Sequence, residues 1–322
     1  MSPQTILFCA DADQNIGTGH VMRLLPLIEE SLIRGYQCYF LGNTSEIPWL
    51  DRSLENFSLV RVKNNPSSNY LDPSKTVLVV DSYSPSRRQE FFGGEKWKAI
   101  VGVIDKEVSD FSADIKIVPS LQGFVQNPQD SNVLTGPKYA LIRKSIVKSS
   151  HVKDSAKPLH VLVVGGGVDK YGLCEAMVSV LEELKCTIKV SFLSNNSIIT
   201  SSRNEYRFIS PGSILDEIVN SVDVAICTAS GSAVEFIARE IPLGVVCAAP
   251  NQKHLYMEMT NLGLASPLGS YLTETGWDID KAYVEDLIFH LDTRAGLQRQ
   301  QREFIDLKGP TRILDVIELL HN

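Results

Sequence analysis

No stretch of the 322-residue chain reaches the roughly 20 consecutive apolar residues that a bilayer-spanning helix needs, so no stable membrane association is expected. Basic residues are in the minority, with 31 Lys and Arg against 38 Asp and Glu and a net charge of -7 with His neutral. Such a surface does not attract polyanions in general, which argues against nucleic acid as a partner and leaves room only for a local basic pocket. The six cysteines (Cys9, Cys38, Cys174, Cys186, Cys227, Cys247) form no CxxC pair, and Cys9, Cys227 and Cys247 fall inside apolar runs, the pattern of buried free thiols. The six histidines show no HExxH or similar paired spacing, so neither a metal nor a cofactor is expected. Met1-Ser2-Pro3-Gln4-Thr5 leads straight into an apolar run without a basic, cleavable leader, and the expected location is the cytoplasm.

A hydrophobic content of 43% over this length suffices for two ordinary cores. Short β-branched runs alternate with helix-length amphipathic segments, the signature of βαβ units in a parallel sheet. The runs are Ile6–Cys9, Cys38–Leu41, Val77–Val80, Ile100–Ile104 and Ile115–Val118, then Leu159–Val164, Ile188–Leu193, Val224–Cys227 and Leu243–Cys247. Between the two sets lies the polar, aperiodic stretch Lys148 to Pro158, read as an interdomain linker. The expected fold is α/β, with two Rossmann-like domains, 1–150 and 151–322, facing a central cleft, and a last helix free to pack back on the first. Each half opens with a strand followed by glycines, Gly17 and Gly19 in one and Gly165-Gly166-Gly167 in the other. Neither is a full dinucleotide fingerprint, but the duplication suits two sheets that bind an anionic ligand at their strand ends.

Gly17-Thr18-Gly19-His20 places a histidine where a helix begins, since Val21, Leu24, Leu25, Ile28 and Leu32 come after it at helical spacing and the pattern stops at Gly35. The positive helix end disfavours imidazolium, so His20 is expected neutral and able to accept a proton. The same run reads equally well as a glycine turn whose histidine caps the helix, and Pro26 predicts a kink or a late start. In the second half, Thr228-Ala229-Ser230-Gly231-Ser232-Ala233-Val234-Glu235 is a small-residue loop able to hold a diphosphate, with Glu235 positioned to accept ribose hydroxyls. Ser232 and Glu235 also form a capping-box spacing that needs no ligand. Pro250-Asn251-Gln252-Lys253-His254 and Asp81-Ser82-Tyr83 are further strand-end loops, equally compatible with ordinary turn chemistry.

Taken in order along the chain, Gly17-x-Gly19-His20, Asp81-Ser82-Tyr83, Val103-Ile104-Asp105, Ala140-Leu141-Ile142-Arg143, Gly165-Gly166-Gly167-Val168-Asp169, Ser230 to Glu235, Asn251-Gln252 and Lys308-Gly309-Pro310-Thr311-Arg312-Ile313 resemble one family. It is the UDP-sugar hydrolase family of pseudaminic acid biosynthesis, related to the MurG-type glycosyltransferases. The resemblance implies two Rossmann-like domains in the GT-B arrangement and release of UDP from UDP-2,4-diacetamido-2,4,6-trideoxy-β-L-altropyranose or a similar sugar nucleotide. It implies that His20 is the catalytic histidine, with Tyr83 and Asn251 beside the reacting centre. It further implies that Glu235 binds the ribose, that Ser230, Gly231 and Ser232 hold phosphate, and that the backbone of Phe208 and Ile209 reads the uracil. Gly17, Gly19, Arg23, Arg143, Gly166, Gly167 and Gln252 fall among the implied substrate-binding positions. The chain departs from the family at Asp105-Lys106, where Asp-Asp is usual, and at Ser230-Gly231-Ser232, where Gly-Ser-Thr is usual. The inverted charge at Lys106 leaves the sugar open.

On this reading a monomer binds a UDP-sugar, and His20 deprotonates a water that attacks the anomeric carbon with inversion and without a metal. Two other readings fit the same residues. One is a GT-B glycosyltransferase passing the sugar to an acceptor, and the other a non-catalytic sugar-nucleotide binding protein.

Overall fold

A computed structural model describes residues 4–62, 71–82, 84–92, 94–104, 112–123, 132–146, 158–184, 186–194, 204–212 and 215–320. The chain divides into two compact units, one comprising Met1–Lys144 together with Asp306–Asn322, the other Ser145–Ile305. The final segment therefore belongs to the first unit although it comes after the second in sequence. Of the linker expected over 148–158, all but Pro158 lies outside the described residues.

The first unit runs β1 (Thr5–Cys9), α1 (Gly19–Ile33), β2 (Gln37–Leu41), α2 (Pro48–Glu55), β3 (Val60–Val62), β4 (Thr76–Asp81), α3 (Pro85–Phe92), β5 (Ala99–Val103), β6 (Ile115–Val118) and β7 (Val133–Thr135). Its seven strands lie in the order β3-β2-β1-β4-β5-β6-β7, every neighbouring pair parallel. Ile6, Leu7, Phe8 and Cys9 are all fully buried, as a strand covered on both faces requires, which is why β1 is an unbroken apolar run. Strand order reverses at the β1/β4 junction, and it is beyond the carboxyl ends of such strands that open α/β sheets place their ligands.

Helix α1 starts at Gly19 and continues through Pro26 to Ile33, so the late start is not observed. It ends as the sequence indicates: Gly35 takes a positive φ of 81°, Tyr36 N donates to Ser31 O and Gly35 N to Leu32 O, both at 3.0 Å, closing a Schellman motif. The C-terminal helix (Gly309–Leu319) packs on α1 and buries Ile313, Leu314 and Ile317. Arg34 fastens the pair, donating to Glu30 at 3.0 Å, Glu318 at 2.9 Å, Asp315 at 2.7 Å and the Thr311 carbonyl at 2.8 Å.

The second unit repeats the wiring: β8 (His160–Val164), α4 (Leu173–Glu183), β9 (Lys189–Leu193), β10 (Glu205–Ile209), α5 (Leu215–Val219), β11 (Val224–Thr228), α6 (Gly231–Ala238), β12 (Leu243–Cys247), α7 (Lys253–Asn261), β13 (Ser266–Leu272), β14 (Gly276–Ile279), α8 (Lys281–Phe289) and α9 (Leu291–Gln301). The order is β10-β9-β8-β11-β12-β13-β14, parallel except for the antiparallel β13–β14 pair. Val161, Val163, Val190, Phe192, Val224 and Ile226 form one core with Met177 and Leu181 of α4 and Val284 and Leu287 of α8. The sequence runs located neither β3, β7 and β10 nor the β13–β14 hairpin. These strands are short, or mix polar residues, Pro and Gly into the pattern, because each is an edge strand or lies near one.

Gly309 meets the backbone of Ala140, where an added Cβ would lie 2.1 Å from the carbonyl oxygen. Gly309→Ala is therefore expected to push the C-terminal helix off the first unit at a cost of about 1–3 kcal/mol, read as a lowered urea midpoint.

Candidate active site

Both β1 and β4 end at the switch point of the first unit, and the start of α1 meets the end of β4 there. His20 is the second residue of α1 and is 4% exposed, while Asp81 closes β4 at 1% exposed. His20 Nδ1 and Asp81 Oδ1 are 2.5 Å apart. Arg23, one turn further along α1, reaches the same carboxylate from Nε to Oδ2 at 2.9 Å and from Nη2 to Oδ1 at 2.7 Å. Burial drives the Asp81 pKa upward, but the Arg23 and His20 charges and hydrogen bonds outweigh it and hold the carboxyl below its usual range. A contact this short to an ionised carboxylate requires the proton on Nδ1, so in the neutral ring the lone pair is on Nε2. The 3.3 Å approach of Arg23 Nη2 to Nδ1 is then a contact between two donors and not a hydrogen bond. His20 is thus not a helix cap: its ring bonds a carboxylate 61 positions away.

The loop before α1 is pinned by Asp13, whose carboxylate accepts from Asn15 N at 2.7 Å and Ile16 N at 2.6 Å. Gly17 has φ +80°, and a Cβ at either Gly17 or Gly19 would meet nothing within 4 Å, so the backbone beside His20 faces open space. Arg23, expected among the substrate contacts, bonds Asp81 through Nε and Nη2. Arg143 is half-buried, next to a lysine that binds α1 through Glu29 and Glu30. Tyr83, Asp105 and Lys106 lie outside the described residues.

In the second unit β8, β11 and β12 are neighbours, which puts the Gly165–Gly167 turn, the Ser230 loop and the Pro250–Gln252 turn at one sheet edge. The two helices that start there differ. At α4, Asp169 accepts from Leu173 N at 2.8 Å and Cys174 N at 3.1 Å, so the helix end already holds an internal anion. Gly165 is required by that carboxylate, since a Cβ would sit 1.7 Å from Asp169 Oδ1, whereas Gly166 at φ +102° borders open space. At α6 the N-cap is Ser230, in extended conformation and without a side-chain cap hydrogen bond. Ser232 is then the second helical residue, and the residue in capping-box relation to the N-cap is Ala233, not Glu235. The capping-box reading of Ser232 and Glu235 fails, and Gly231, Ser232 and half-buried Glu235 stand on the first turns of a helix whose N-cap hydroxyl accepts from Thr228 Oγ1 at 3.3 Å and does not cap the helix.

Asn251 is exposed on its turn, while Gln252 folds back and accepts from Ala248 N at 2.9 Å. Phe208 and Ile209 finish β10, the outermost strand. Ile209 O accepts from Ser194 N at 2.9 Å, so Ile209 turns its peptide groups toward β9 and the alternating Phe208 turns its own to the sheet edge. The Phe208 ring stacks on Phe192 at 5.3 Å. No spacing in the sequence singles out Asp81 as the partner of His20. Its signal is the position of β4, which the 3-2-1-4 order sets beside β1. Among the described residues no group of three or more His, Cys, Asp or Glu is placed to hold a metal ion, and no helix is long and apolar enough to cross a membrane.

No family model matches the chain, and no curated protein matches it. Solved structures do. The calicheamicin glycosyltransferase CalG4 is 14% identical with a TM-score of 0.64, covering 99% of this chain and 98% of its own. MurG from Acinetobacter baumannii is 14% identical with a TM-score of 0.58, covering 98% and 99%. A UDP-N-acetylglucosamine 2-epimerase is 11% identical with a TM-score of 0.59, covering 98% and 96%. The chain has the fold of these proteins, two Rossmann-like α/β domains of the GT-B type.

Because the folded-state pKa of Asp81 is lowered, its contribution to stability is present above about pH 4 and is lost as pH falls through the folded value. Asp81→Asn is expected to cost about 3 kcal/mol at pH 7, through the cation it leaves unpaired, and the gap to wild type should close on acidification below about pH 4. Urea midpoints of both proteins across this range check it.

Proposed function

We propose that the chain acts on a nucleotide-diphosphate sugar and transfers the sugar to an acceptor hydroxyl. The observation that carries this reading is the buried His20–Asp81 pair at the strand-order switch of the first unit. His20 Nε2 takes the acceptor proton as the acceptor oxygen forms its bond to the anomeric carbon. The bond from that carbon to the diphosphate oxygen breaks on the other face, and the nucleoside diphosphate departs with the electron pair. Asp81 stabilises the imidazolium that results, and the donor tautomer at Nδ1 is fixed beforehand. In the second unit the α6 amides and the Ser230 and Ser232 hydroxyls hold the diphosphate, Glu235 accepts from the ribose hydroxyls, and the outward peptide groups of Phe208 meet the base, taken to be uracil. Tyr83 and Asn251 orient the sugar or the acceptor. Transfer is the reading favoured by the likeness to CalG4, a glycosyltransferase by name. The epimerase neighbour marks the fold as able to carry other nucleotide-sugar chemistry.

Hydrolysis is the second reading, favoured by the ordered run of motifs from Gly17-Thr18-Gly19-His20 to Lys308-Gly309-Pro310. Water then replaces the acceptor hydroxyl and every other step is unchanged. Incubation with UDP-linked deoxy amino sugars distinguishes the two: UDP and free sugar formed in equal amounts without an acceptor identify hydrolysis, while turnover that waits for an added alcohol identifies transfer.

His20→Asn is expected to lower kcat by about 10²–10⁴-fold with UDP affinity nearly unchanged. Glu235→Gln should weaken UDP binding by about tenfold or more, as expected for lost hydrogen bonds to a charged group. Titration calorimetry with UDP and initial rates check both, and a His20→Asn protein that turns over near the wild-type rate would remove the base assignment.

A further inference from the structure

Arg23 takes no part in the proton and sugar transfers, yet it makes more hydrogen bonds to Asp81 than His20 does. Its Nε and Nη2 reach the two oxygens at 2.9 and 2.7 Å, so Oδ1 is shared between guanidinium and imidazole. A carboxylate bonded to the ring alone would draw it toward imidazolium, which has no lone pair left to accept a proton. Two features of α1 act against this: the positive end of the helix, where His20 sits, and the Arg23 cation one turn along. A guanidinium fork also fixes the plane of the carboxylate, which a single ammonium does not. Of the other charged groups on the adjoining elements, Arg88 of α3 is buried. Asp11 pairs with Arg87 of α3 at 2.6 Å, Arg87 also with Glu90, and the Asp13 carboxylate accepts loop amides.

We propose that Arg23 is a positioning residue: by gripping Asp81 in bidentate fashion it aims that carboxylate at Nδ1 and offsets the charge that the carboxylate presents to the ring. The catalytic meaning of this inference rests on His20 acting as base toward a nucleotide sugar, whereas the charge arrangement does not.

The test tracks the His20 ring by NMR in ligand-free protein labelled with ¹⁵N-histidine, the His20 signals being those lost in His20→Asn. Arg23→Gln is expected to raise the ring's titration midpoint by about one pH unit or more, and Arg23→Lys by less. In an Asp81→Asn background the shift caused by Arg23→Gln should shrink. The acid limb of the kcat/KM profile should move with the ring. A midpoint unchanged or lowered in both Arg23 variants overturns the proposal, as does a shift of equal size with and without Asp81, which would mean that Arg23 acts on the ring directly. If Arg23→Gln does not fold, Arg23→Lys decides by the same criterion. Since the titration needs no substrate, the expected ring shift in a protein that turns over no nucleotide sugar would overturn the functional reading and leave the role of Arg23 standing.

Discussion

A carboxylate withdrawn from water must be compensated where it stands, and the first unit is organised around that requirement at Asp81. Apolar strands covered on both faces leave polar groups only the strand ends. At the end of β4 the carboxylate meets the first turn of α1, which delivers an imidazole and a guanidinium from one helical face. Removing either partner changes the electrostatic situation of the remaining two, so the three side chains act as a unit. The apolar β1 and β4, the open glycines before α1 and the helix start at Gly19 are the conditions under which this unit can be both dry and reachable.

The second unit uses the same wiring for a different end. Its α4 amides are satisfied by Asp169 from within the preceding turn, which makes that glycine turn self-contained. Its α6 begins at Ser230 with no side-chain cap, and the residues around it are small. Two helix starts on neighbouring strands of one sheet are thus built differently, one around the Asp169 carboxylate and the other from a serine N-cap in extended conformation.

Legibility in the sequence tracked burial. Strands such as Ile6–Cys9, Val77–Val80 and Val224–Cys227 announce themselves because both faces are covered and no polar residue is tolerated. β10, reading Glu-Tyr-Arg-Phe-Ile, and β13, interrupted by Pro267 and Gly269, do not, because a strand at or near an edge need not keep that pattern. His20 stood out through its glycines. Its partner did not, since the contact crosses 61 positions and exists only once the sheet order sets β4 against β1. The spacing of Ser232 and Glu235 suggested a cap, but spacing alone does not say which serine starts the helix, and a shift of two residues changes the role of both.

The return of the last segment to the first unit has a consequence for synthesis. In sequence, the second unit is an insertion, so all of Ser145–Ile305 leaves the ribosome before Gly309–Leu319 is available to cover α1. During that interval the side of α1 on which the C-terminal helix packs is uncovered, and Arg34 lacks Asp315 and Glu318. The later-made domain can complete its core while the earlier one waits, which reverses the order in which the two begin.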